Sequence, residues 1–371
     1  MSGRRPGLCL DDTLPFRYDI VSIRYSIKCS RTSEVCTGQT VEQHRHRSIR
    51  LSARSNYERR SAMTENKKVL VTGATGMQGG AVVQALLRGG HSVTGFVRNP
   101  DSAPARALAQ QGVELAIGNL EDLASLEAAS AGHDAVFSVQ LFGADPADLD
   151  SEQRQARNIA TAAKRADVAQ LIHTSVSGTG WRSRYPDYRQ HELFRAYWDN
   201  KEAAEDAVRQ SGIDRWTIFK PAWYMDNVLP GKRLDMFPDL PKGKLVTATG
   251  PQTALALINA EDLGAAVAAA VADSDTFHEV EIEFAGDVLT FPEIADTISA
   301  AANRQITAVF HAPEEWEQVT GTPYADGRHW DDVVGYPARP HHAAHYGLST
   351  TTLKSATRQD WRLPAAESEE L

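Results

Sequence analysis

Between residues 67 and 222, short apolar runs alternate with longer stretches in which apolar residues recur every three or four positions. The short runs predict buried strands and the longer stretches predict amphipathic helices. Strands that alternate with helices of this size predict right-handed crossovers and a parallel sheet covered on both faces. The predicted strands are Val69–Thr72, Ser92–Val97, Val113–Ile117, Ala135–Val139, Gln170–Ser175 and Trp216–Phe219. The predicted helices are Gly79–Arg88, Ala103–Gln111, Leu120–Ala131, Ser151–Arg165 and Glu192–Gln210.

The regular alternation ends after Pro221. From there the pattern predicts a smaller and less regular α/β lobe, residues 223–371, which includes elements that return to the main sheet. The predicted strands here are Leu245–Ala248, Glu279–Phe284 and Ile306–Phe310, and the predicted helices are Glu261–Ala272 and Phe291–Ala302. We therefore expect one folded unit over residues 63–371, with its core in residues 67–222.

Residues 1–62 differ from the remainder in charge and in cysteine content. They carry twelve Lys and Arg against six Asp and Glu, a net charge of +6, whereas the remainder carries 27 against 42, a net −15. The acidic remainder argues against direct nucleic-acid binding and against an anionic membrane surface. All three cysteines lie in the first segment, so disulfides, thiol catalysis and thiolate metal sites are excluded from the remainder. They are Cys9, Cys29 and Cys36.

The same 62 residues show no sustained helical period, and the run MTENKKVLVTGATG that begins at Met63 reads like a natural protein start. We expect residues 1–62 to be an over-called reading frame or a disordered extension. An Arg- and Ser-rich organelle transit peptide is the alternative, although three aspartates count against it. Nowhere does the chain contain about 18 consecutive apolar residues, so we expect no membrane span and a cytoplasmic protein.

The first predicted strand leads directly into the run GATGMQG at residues 73–79, and a predicted helix follows at once. In this G-x-x-G-x-x-G pattern, glycine permits a tight turn, close approach of a pyrophosphate and close packing of helix on strand. The helix start then offers its N–H groups and its positive dipole end to the phosphates. The pattern predicts a dinucleotide site that includes Gly73, Thr75, Gly76, Met77, Gln78 and Gly79.

The end of the second predicted strand bears on which dinucleotide binds. An NAD site places an acidic residue there to hold the ribose 2′-hydroxyl, whereas this strand ends in the run FVRNP, with Arg98 at that place. A guanidinium can bind a 2′-phosphate through two hydrogen bonds. The sequence therefore favours NADP(H) over NAD(H).

Several motifs in one order resemble a known family. The runs VLVTGATGMQGG, FVRNP, GNLED, HDAVFSV, IHTSVSG, YWDNKEAAEDAVRQSGI and WTIFKPAWYMDN are similar to those of the NmrA-like branch of the atypical short-chain dehydrogenase/reductase superfamily. The resemblance implies a Rossmann-type doubly wound parallel sheet with a C-terminal substrate lobe. It also implies that Asn119 and Leu120 lie by the adenine and that Val139 and Gln140 line the dinucleotide. By the same resemblance, the segment from Trp223 to Asn227 borders the nicotinamide end of the dinucleotide.

The helix predicted before the sixth strand contains Tyr197 and Lys201, which are spaced as Y-x-x-x-K. Residues at i and i+4 share one face of a helix, and an ammonium beside a phenol lowers the pKa of the phenol. Such a phenol can exchange a proton with a carbonyl oxygen while hydride moves to or from a nicotinamide. Lys201 is also predicted to bind the cofactor through a hydrogen bond to the nicotinamide ribose. Ser175 or Ser177, after the fifth strand, is a candidate to hydrogen-bond the substrate oxygen. Because members of the family often replace the tyrosine, packing of Tyr197 in the cleft wall is the alternative.

These residues leave two functions open, both of them without a metal. The first is an NADPH-dependent reductase of a small carbonyl, enone or quinone, and the second is a non-catalytic NADP(H) sensor that binds a regulatory protein partner. A nucleotide-sugar epimerase is disfavoured because Arg98 disfavours NAD. The histidines at 341, 342 and 345 are read as a solvated face. The aromatic residues after the fifth strand form either a lid over a substrate or the packing between two lobes; they are Trp181, Tyr185, Tyr188 and Trp198.

Overall fold

A parallel β-sheet forms the centre of the computed structural model, which describes residues 65–143, 148–188, 192–229, 236–312, 315–316 and 325–357. The extension predicted for residues 1–62 lies outside these ranges. The strands, in chain order, are β1 Lys68–Val71, β2 Ser92–Val97, β3 Glu114–Ile117, β4 Ala135–Ser138, β5 Gln170–Thr174, β6 Arg215–Pro221, β7 Trp223–Tyr224, β8 Lys244–Thr247, β9 Ala254–Ile258, β10 Val280–Phe284, β11 Asp287–Thr290 and β12 Thr307–Phe310. The α-helices are α1 Met77–Arg88, α2 Ala103–Gln110, α3 Leu123–Ser130, α4 Ser151–Arg165, α5 Glu192–Arg209, α6 Ala260–Ala272, α7 Phe291–Ala302, α8 Ala325–Val333, α9 Pro340–His345 and α10 Leu353–Ala356.

The central sheet has seven parallel strands in the order β3-β2-β1-β4-β5-β6-β10. Val69 of β1 is opposite Val93 of β2 on one side and Ala135 of β4 on the other. The chain therefore winds outward from β1 in both directions, and the order reverses between β1 and β4. In such sheets ligands bind at the carboxyl ends of the strands beside this reversal.

Helices cover both faces of this sheet, as the sequence predicts. The apolar residues of α1, α2 and α6 pack on one face, and those of α3, α4 and α5 pack on the other. Helices α1 and α6 approach so closely that a Cβ atom at Gly264 would lie 2.4 Å from the carbonyl oxygen of Ala81. The predicted α/β fold class, a Rossmann-type parallel sheet with helices on both faces, is confirmed.

A smaller lobe is built mainly from segments after residue 222. Strands β7, β9 and β11 form a three-stranded sheet, while β8 pairs with β12 in parallel. Helix α7 buries Phe291, Ile294 and Ile298 in the core of this lobe. Strand β10, which lies between segments of the small lobe in sequence, pairs instead with β6 at the edge of the central sheet. Elements of the C-terminal segment therefore complete the central sheet.

Each strand and helix predicted from the sequence has a counterpart, with ends that differ by a few residues. Helix α3 begins at Leu123 instead of Leu120 because Asp122 caps it by accepting a hydrogen bond from the N–H of Ala124. Strands β7, β9 and β11 and the three C-terminal helices are not predicted. Most of these elements are short, and short elements carry too few positions to show a period. Among the described residues, none of the helices has the length and apolar character of a membrane span.

An aspartate buried in helix α8 makes the stability of the protein depend on pH. Asp331 is 6 % exposed, accepts a hydrogen bond from Thr249 and lies 3.6 Å from the guanidinium of Arg328. Burial raises the pKa of Asp331 to about 7, against the opposing effects of the Arg328 charge and the Thr249 hydroxyl. Between its ordinary value and about 7, the folded state holds a proton that the unfolded chain has released. The contribution of Asp331 to the free energy of unfolding therefore falls as the pH rises through that range.

We expect the Asp331→Asn variant to lack this contribution. Because asparagine does not ionise, the free energy of unfolding of the variant, relative to wild type, should increase steadily between pH 4 and pH 7. Urea unfolding of both proteins at half-unit pH intervals measures the difference. A difference that stays constant across the range would show that Asp331 does not titrate there.

Candidate functional site

The turn between β1 and α1 has a backbone that requires glycine at its first position. Gly73 has φ +61°, which L-residues rarely adopt, and a Cβ atom there would lie 2.7 Å from Cγ1 of Val139. The N–H of Gly76 donates to the carbonyl oxygen of Gly73 at 2.9 Å and closes the turn. A side chain at position 73 would strain the turn and would fill the space beside β4.

Gly79 lies where helix α1 passes over the turn. A Cβ atom at Gly79 would lie 2.2 Å from the carbonyl oxygen of Gly73 and 2.9 Å from the backbone nitrogen of Ala74. Helix α1 begins at Met77. Its N-cap residue is Gly76, which has no side chain that could cap the first turn. The N–H groups of that turn thus remain available to an acceptor, which is the arrangement that binds a phosphate.

Hydrogen bonds fix the strand ends around this turn. The hydroxyl of Thr72 donates to the carbonyl oxygen of Val139 at 3.0 Å and accepts from the N–H of Val139 at 2.8 Å. The hydroxyl of Thr174, at the end of β5, donates to Oε1 of Gln78 at 2.9 Å. These bonds tie β1 to β4, and helix α1 to β5. They give Gln78 an anchoring role, and its predicted contact with the dinucleotide remains a prediction.

The residues after β2 and β3 lie at the carboxyl edge of the sheet, and their contacts with an adenosine remain a prediction. Arg98 and Asn119 are both exposed there. The loop that contains Asn119 is held because the Asn158 side chain of α4 donates to the carbonyl oxygen of Leu120 at 2.9 Å. Ile117 ends β3 and is 63 % exposed, although it is a large apolar residue. A planar base could cover this side chain.

The residues after β4 line the same edge. Val139 is partly buried, Gln140 is buried, and Leu141 is 82 % exposed. The Nε2 of Gln140 donates to the hydroxyl of Ser138 at 2.7 Å, whereas its Oε1 is buried and accepts no hydrogen bond from the described part of the chain. The sequence does not single out Ile117 or Leu141. The signal available was their place at or after the carboxyl ends of two strands of the same parallel sheet, β3 and β4.

Helix α5 places the predicted Tyr197–Lys201 pair on one face. The Nζ of Lys201 lies 5.4 Å from the ring centroid of Tyr197, and the ring of Phe142 meets that of Tyr197 edge-on at 5.5 Å. Lys201 is buried, and its Nζ lies 2.5 Å from Oε1 of Glu152. Burial alone would lower the pKa of Lys201, but the Glu152 carboxylate and, to a lesser extent, Tyr197 raise that pKa above its ordinary value. Lys201 is therefore held as an ammonium beside the phenol.

The two candidate serines point into the protein interior. The hydroxyl of Ser175 donates to Oε1 of Glu205 at 2.7 Å, and Ser177 accepts from the N–H of Ala338 at 3.3 Å. Glu205 is itself paired with Lys220 at 3.0 Å, in a layer between the sheet and α5. Nothing in this arrangement supports a contact of Ser175 or Ser177 with a substrate, and the role of Ser175 remains a prediction.

The segment after β6 enters the small lobe. Trp223 is 7 % exposed, and its ring packs edge-on against those of Phe237 and Phe291 at 6.0 and 6.3 Å. Asn227 is 8 % exposed and ends a short 3₁₀ turn. Both residues therefore belong mainly to the core of the lobe. The border with a nicotinamide that the resemblance implies for them remains a prediction.

The aromatic residues after β5 form packing rather than a lid. Trp181 and Trp198 are fully buried against Trp330 of α8, with ring centroids 4.8–6.1 Å apart. Tyr188 stacks on His329 at 5.6 Å, whereas Tyr185 is 37 % exposed. Of the two alternatives for these residues, the buried tryptophans favour packing between α5 and α8.

No group of three metal-ligating side chains occurs among the described residues. In helix α9, His341 and His345 are exposed, whereas His342 is half-buried. The Nδ1 of His342 accepts a hydrogen bond from the N–H of Arg339 at 3.3 Å.

The amino-acid sequence is similar to those of a known protein family and of several reductases. A model of the NmrA-like family matches residues 65–327. The NAD(P)H azoreductase of Xenophilus azovorans is 29 % identical over 250 residues, which are 67 % of this chain and 79 % of that protein. Quinone oxidoreductase 2 of Escherichia coli K12 is 26 % identical over 248 residues, 64 % of this chain and 76 % of that protein.

Two solved structures have the same fold. The Citrobacter sp. triphenylmethane reductase in complex with NADP(H) has a TM-score of 0.63 at 22 % identity and covers 79 % of this chain and 99 % of its own. NmrA, a negative transcriptional regulator in complex with NADP, has a TM-score of 0.61 at 21 % identity and covers 80 % and 95 %. At these identities the likeness establishes the fold alone.

Proposed function

Because the chain belongs to the NmrA-like family, we propose that it is an NADPH-dependent reductase of a small carbonyl, enone or quinone. The observation that carries the proposal is the Tyr197–Lys201 pair, which brings a phenol and a buried ammonium together on helix α5. The azoreductase and the quinone oxidoreductase to which the chain is similar are named as reductases. Reduction of a carbonyl by a nicotinamide dinucleotide also needs a proton donor for the substrate oxygen.

The residues of the glycine turn and of the carboxyl edge of the sheet fit a dinucleotide. A Cβ atom would collide with backbone or side-chain atoms at Gly73 and Gly79, so the turn is shaped for close backbone approach. The uncapped start of α1 supplies N–H donors for a pyrophosphate. Exposed apolar side chains at positions 117 and 141 offer faces for the adenine and for the far end of the ligand. Gln140 Oε1, buried and without a partner among the described residues, is an acceptor for a polar group.

When bound, reduced nicotinamide supplies a hydride to the carbon of the substrate. The chain supplies the proton, since the Tyr197 hydroxyl can donate to the substrate oxygen as negative charge develops there. The ammonium of Lys201 stabilises the phenolate left behind, because an opposite charge nearby favours the ionised form. Tyr197 then recovers a proton from solvent. The product has gained one hydride and one proton, as the reduction of a carbonyl requires.

A non-catalytic sensor of NADP(H) is the second candidate. The contact that favours it is the Lys201–Glu152 ion pair, because the carboxylate offsets the positive charge that would assist the phenol. The internal hydrogen bond of Ser175 also leaves the substrate oxygen without the serine partner expected for a reductase. A protein of this kind would bind the dinucleotide and change its contacts with a protein partner.

Fluorescence titrations of the purified protein with NADPH and NADH provide the first test. Under the proposal NADPH binds and NADH binds more weakly, and NADPH is then consumed in the presence of quinones, enones or aldehydes. Binding without turnover on any of these acceptors favours the sensor. No binding of either dinucleotide contradicts both candidates.

Arg98 tests the preference between the two dinucleotides. We expect Arg98→Ala to weaken NADPH binding about tenfold and to leave NADH binding within about twofold, because only NADPH carries the 2′-phosphate that a guanidinium recognises. Arg88→Ala is a matched control, since Arg88 is also exposed but ends α1 at the opposite edge of the sheet. An equal loss for both dinucleotides in Arg98→Ala would mean that Arg98 does not contact a 2′-phosphate.

A further inference from the structure

A buried carboxylate of helix α4 contacts the lysine of the predicted catalytic pair. Glu152 is 1 % exposed, and its Oε1 lies 2.5 Å from Nζ of Lys201. Its second oxygen, Oε2, is buried and accepts no hydrogen bond within the described ranges. Removing a carboxylate from water is costly unless an opposite charge is in contact with it. Lys201 supplies that charge, so the two residues depend on each other.

The position of Glu152 is fixed by contacts that do not involve Lys201. Asn200, the residue before Lys201, is fully buried, and its Oδ1 accepts from the N–H of Gln153 at 3.0 Å. Its Nδ2 donates to the carbonyl oxygen of Leu149 at 2.7 Å. Asn200 therefore fastens the first turn of α4 to α5 and satisfies backbone groups of a helix start. A change at Glu152 leaves this attachment in place.

Charged and titratable groups from three elements surround the Lys201 ammonium. Glu152 belongs to α4, His173 to β5, and Tyr197 and Glu205 to α5 itself. Burial, with a smaller contribution from the Lys201 charge, lowers the pKa of His173 to about 3, so this histidine is neutral. Burial would lower the pKa of Lys201, whereas Glu152 is the strongest group that raises it. In the absence of Glu152, the smaller effects of Tyr197 and Glu205 remain to oppose burial, so the pKa of Lys201 would fall.

We propose that Glu152 is a positioning residue of the dinucleotide site, whose carboxylate keeps Lys201 charged and fixed beside Tyr197. The inference rests on the proposed function and on the predicted hydrogen bond of Lys201 to the ribose of the nicotinamide. Within the described ranges the ammonium donates one hydrogen bond, to Glu152, which leaves N–H donors for hydroxyl groups of a ribose. The ion pair also restrains a long side chain that would otherwise lose conformational entropy on binding. Glu152 thus orients Lys201 toward the ligand and does not itself contact the ligand.

The test measures NADPH dissociation constants by fluorescence from pH 7 to pH 9.5. We expect wild type to change less than about twofold over this range, because its Lys201 stays charged. In Glu152→Gln the NADPH dissociation constant should rise about tenfold between pH 7 and pH 9.5, because Lys201 would lose its charge within this range. Each pH unit above the pKa of Lys201 lowers its charged fraction about tenfold. Asp150→Asn is the matched control. Asp150 is an exposed carboxylate at the same helix start that does not contact Lys201, and its removal should leave the profile flat.

Glu152→Asp provides a second variant that retains the charge. The shorter side chain moves the carboxylate away from Lys201, so the rise between pH 7 and pH 9.5 should lie between those of wild type and Glu152→Gln. Circular dichroism at both ends of the range separates loss of binding from loss of folding. Flat profiles in both Glu152 variants, with wild-type binding intact, would overturn the role of Glu152. Failure of wild type to bind NADPH at any pH would instead contradict the proposed function.

Discussion

The Gly79→Ala variant is expected to lose NADPH binding by at least about 100-fold and to be less stable by about 2–4 kcal/mol. The added Cβ atom would lie 2.2 Å from the carbonyl oxygen of Gly73 and 2.5 Å from its carbonyl carbon. Both are backbone atoms, which cannot turn aside as a flexible side chain can. The start of α1 must therefore move away from the turn, and the N–H groups predicted to bind the pyrophosphate move with it. Fluorescence titration and urea unfolding measure the two effects.

The neighbouring glycine gives a control of identical chemistry. A Cβ atom at Gly80 would lie 3.5 Å from the carbonyl oxygen of Ala74, which is an ordinary contact. Because alanine favours a helix over glycine, Gly80→Ala should stabilise the protein by about 0.5–1 kcal/mol and should leave NADPH binding unchanged. Similar losses in both variants would show that the methyl group itself, and not its place beneath the turn, causes the effect.

The second large effect is expected for Tyr197→Phe. The substitution removes one oxygen and retains the ring that packs on Phe142. Loss of a positioned proton donor reduces kcat by about 100- to 10,000-fold. The NADPH dissociation constant should stay within about twofold, because the helix, the lysine and the glycine turn are unchanged. Steady-state turnover with an accepted quinone or enone, together with NADPH titration, measures both quantities.

Tyr185→Phe is a suitable control because Tyr185 is 37 % exposed and precedes helix α5. It should retain wild-type turnover. If Tyr197→Phe also retained wild-type turnover, the proton would have to come from another group. If neither the variant nor wild type showed turnover while both bound NADPH, the sensor would be the better description of the protein.

Local patterns in the sequence are sufficient to predict the parallel sheet and the residues of the glycine turn. The apolar runs of β1 to β6 are short, and separate amphipathic stretches lie between them, so their period can be read without tertiary information. The GATGMQG run adds its own backbone requirement, which the positive φ of Gly73 shows directly. The Tyr197–Lys201 spacing likewise follows from helix geometry alone. Each of these features depends on residues that are close in the chain.

Features that depend on distant residues could not be predicted in this way. Glu152 and Lys201 are 49 positions apart, and neither helix contains a signal for the other. The inward orientation of the Ser175 hydroxyl depends on Glu205, 30 positions later. Ile117 looks like an ordinary strand residue, and Leu141 like a loop residue, until the order of the strands shows that β3 and β4 end at one edge. Buried ion pairs and shared edges are products of topology rather than of local pattern.

The return of β10 to the central sheet has a consequence for synthesis of the chain. Strand β10 pairs with β6 and helix α6 covers α1, yet both follow segments of the smaller lobe in sequence. A nascent chain that ends before Ala260 lacks both elements, so the edge of β6 is unpaired and α1 is not covered. Such edges and apolar faces are where incomplete chains aggregate. We therefore expect the central sheet to be completed only after the segments of the smaller lobe that precede β10 have been synthesised.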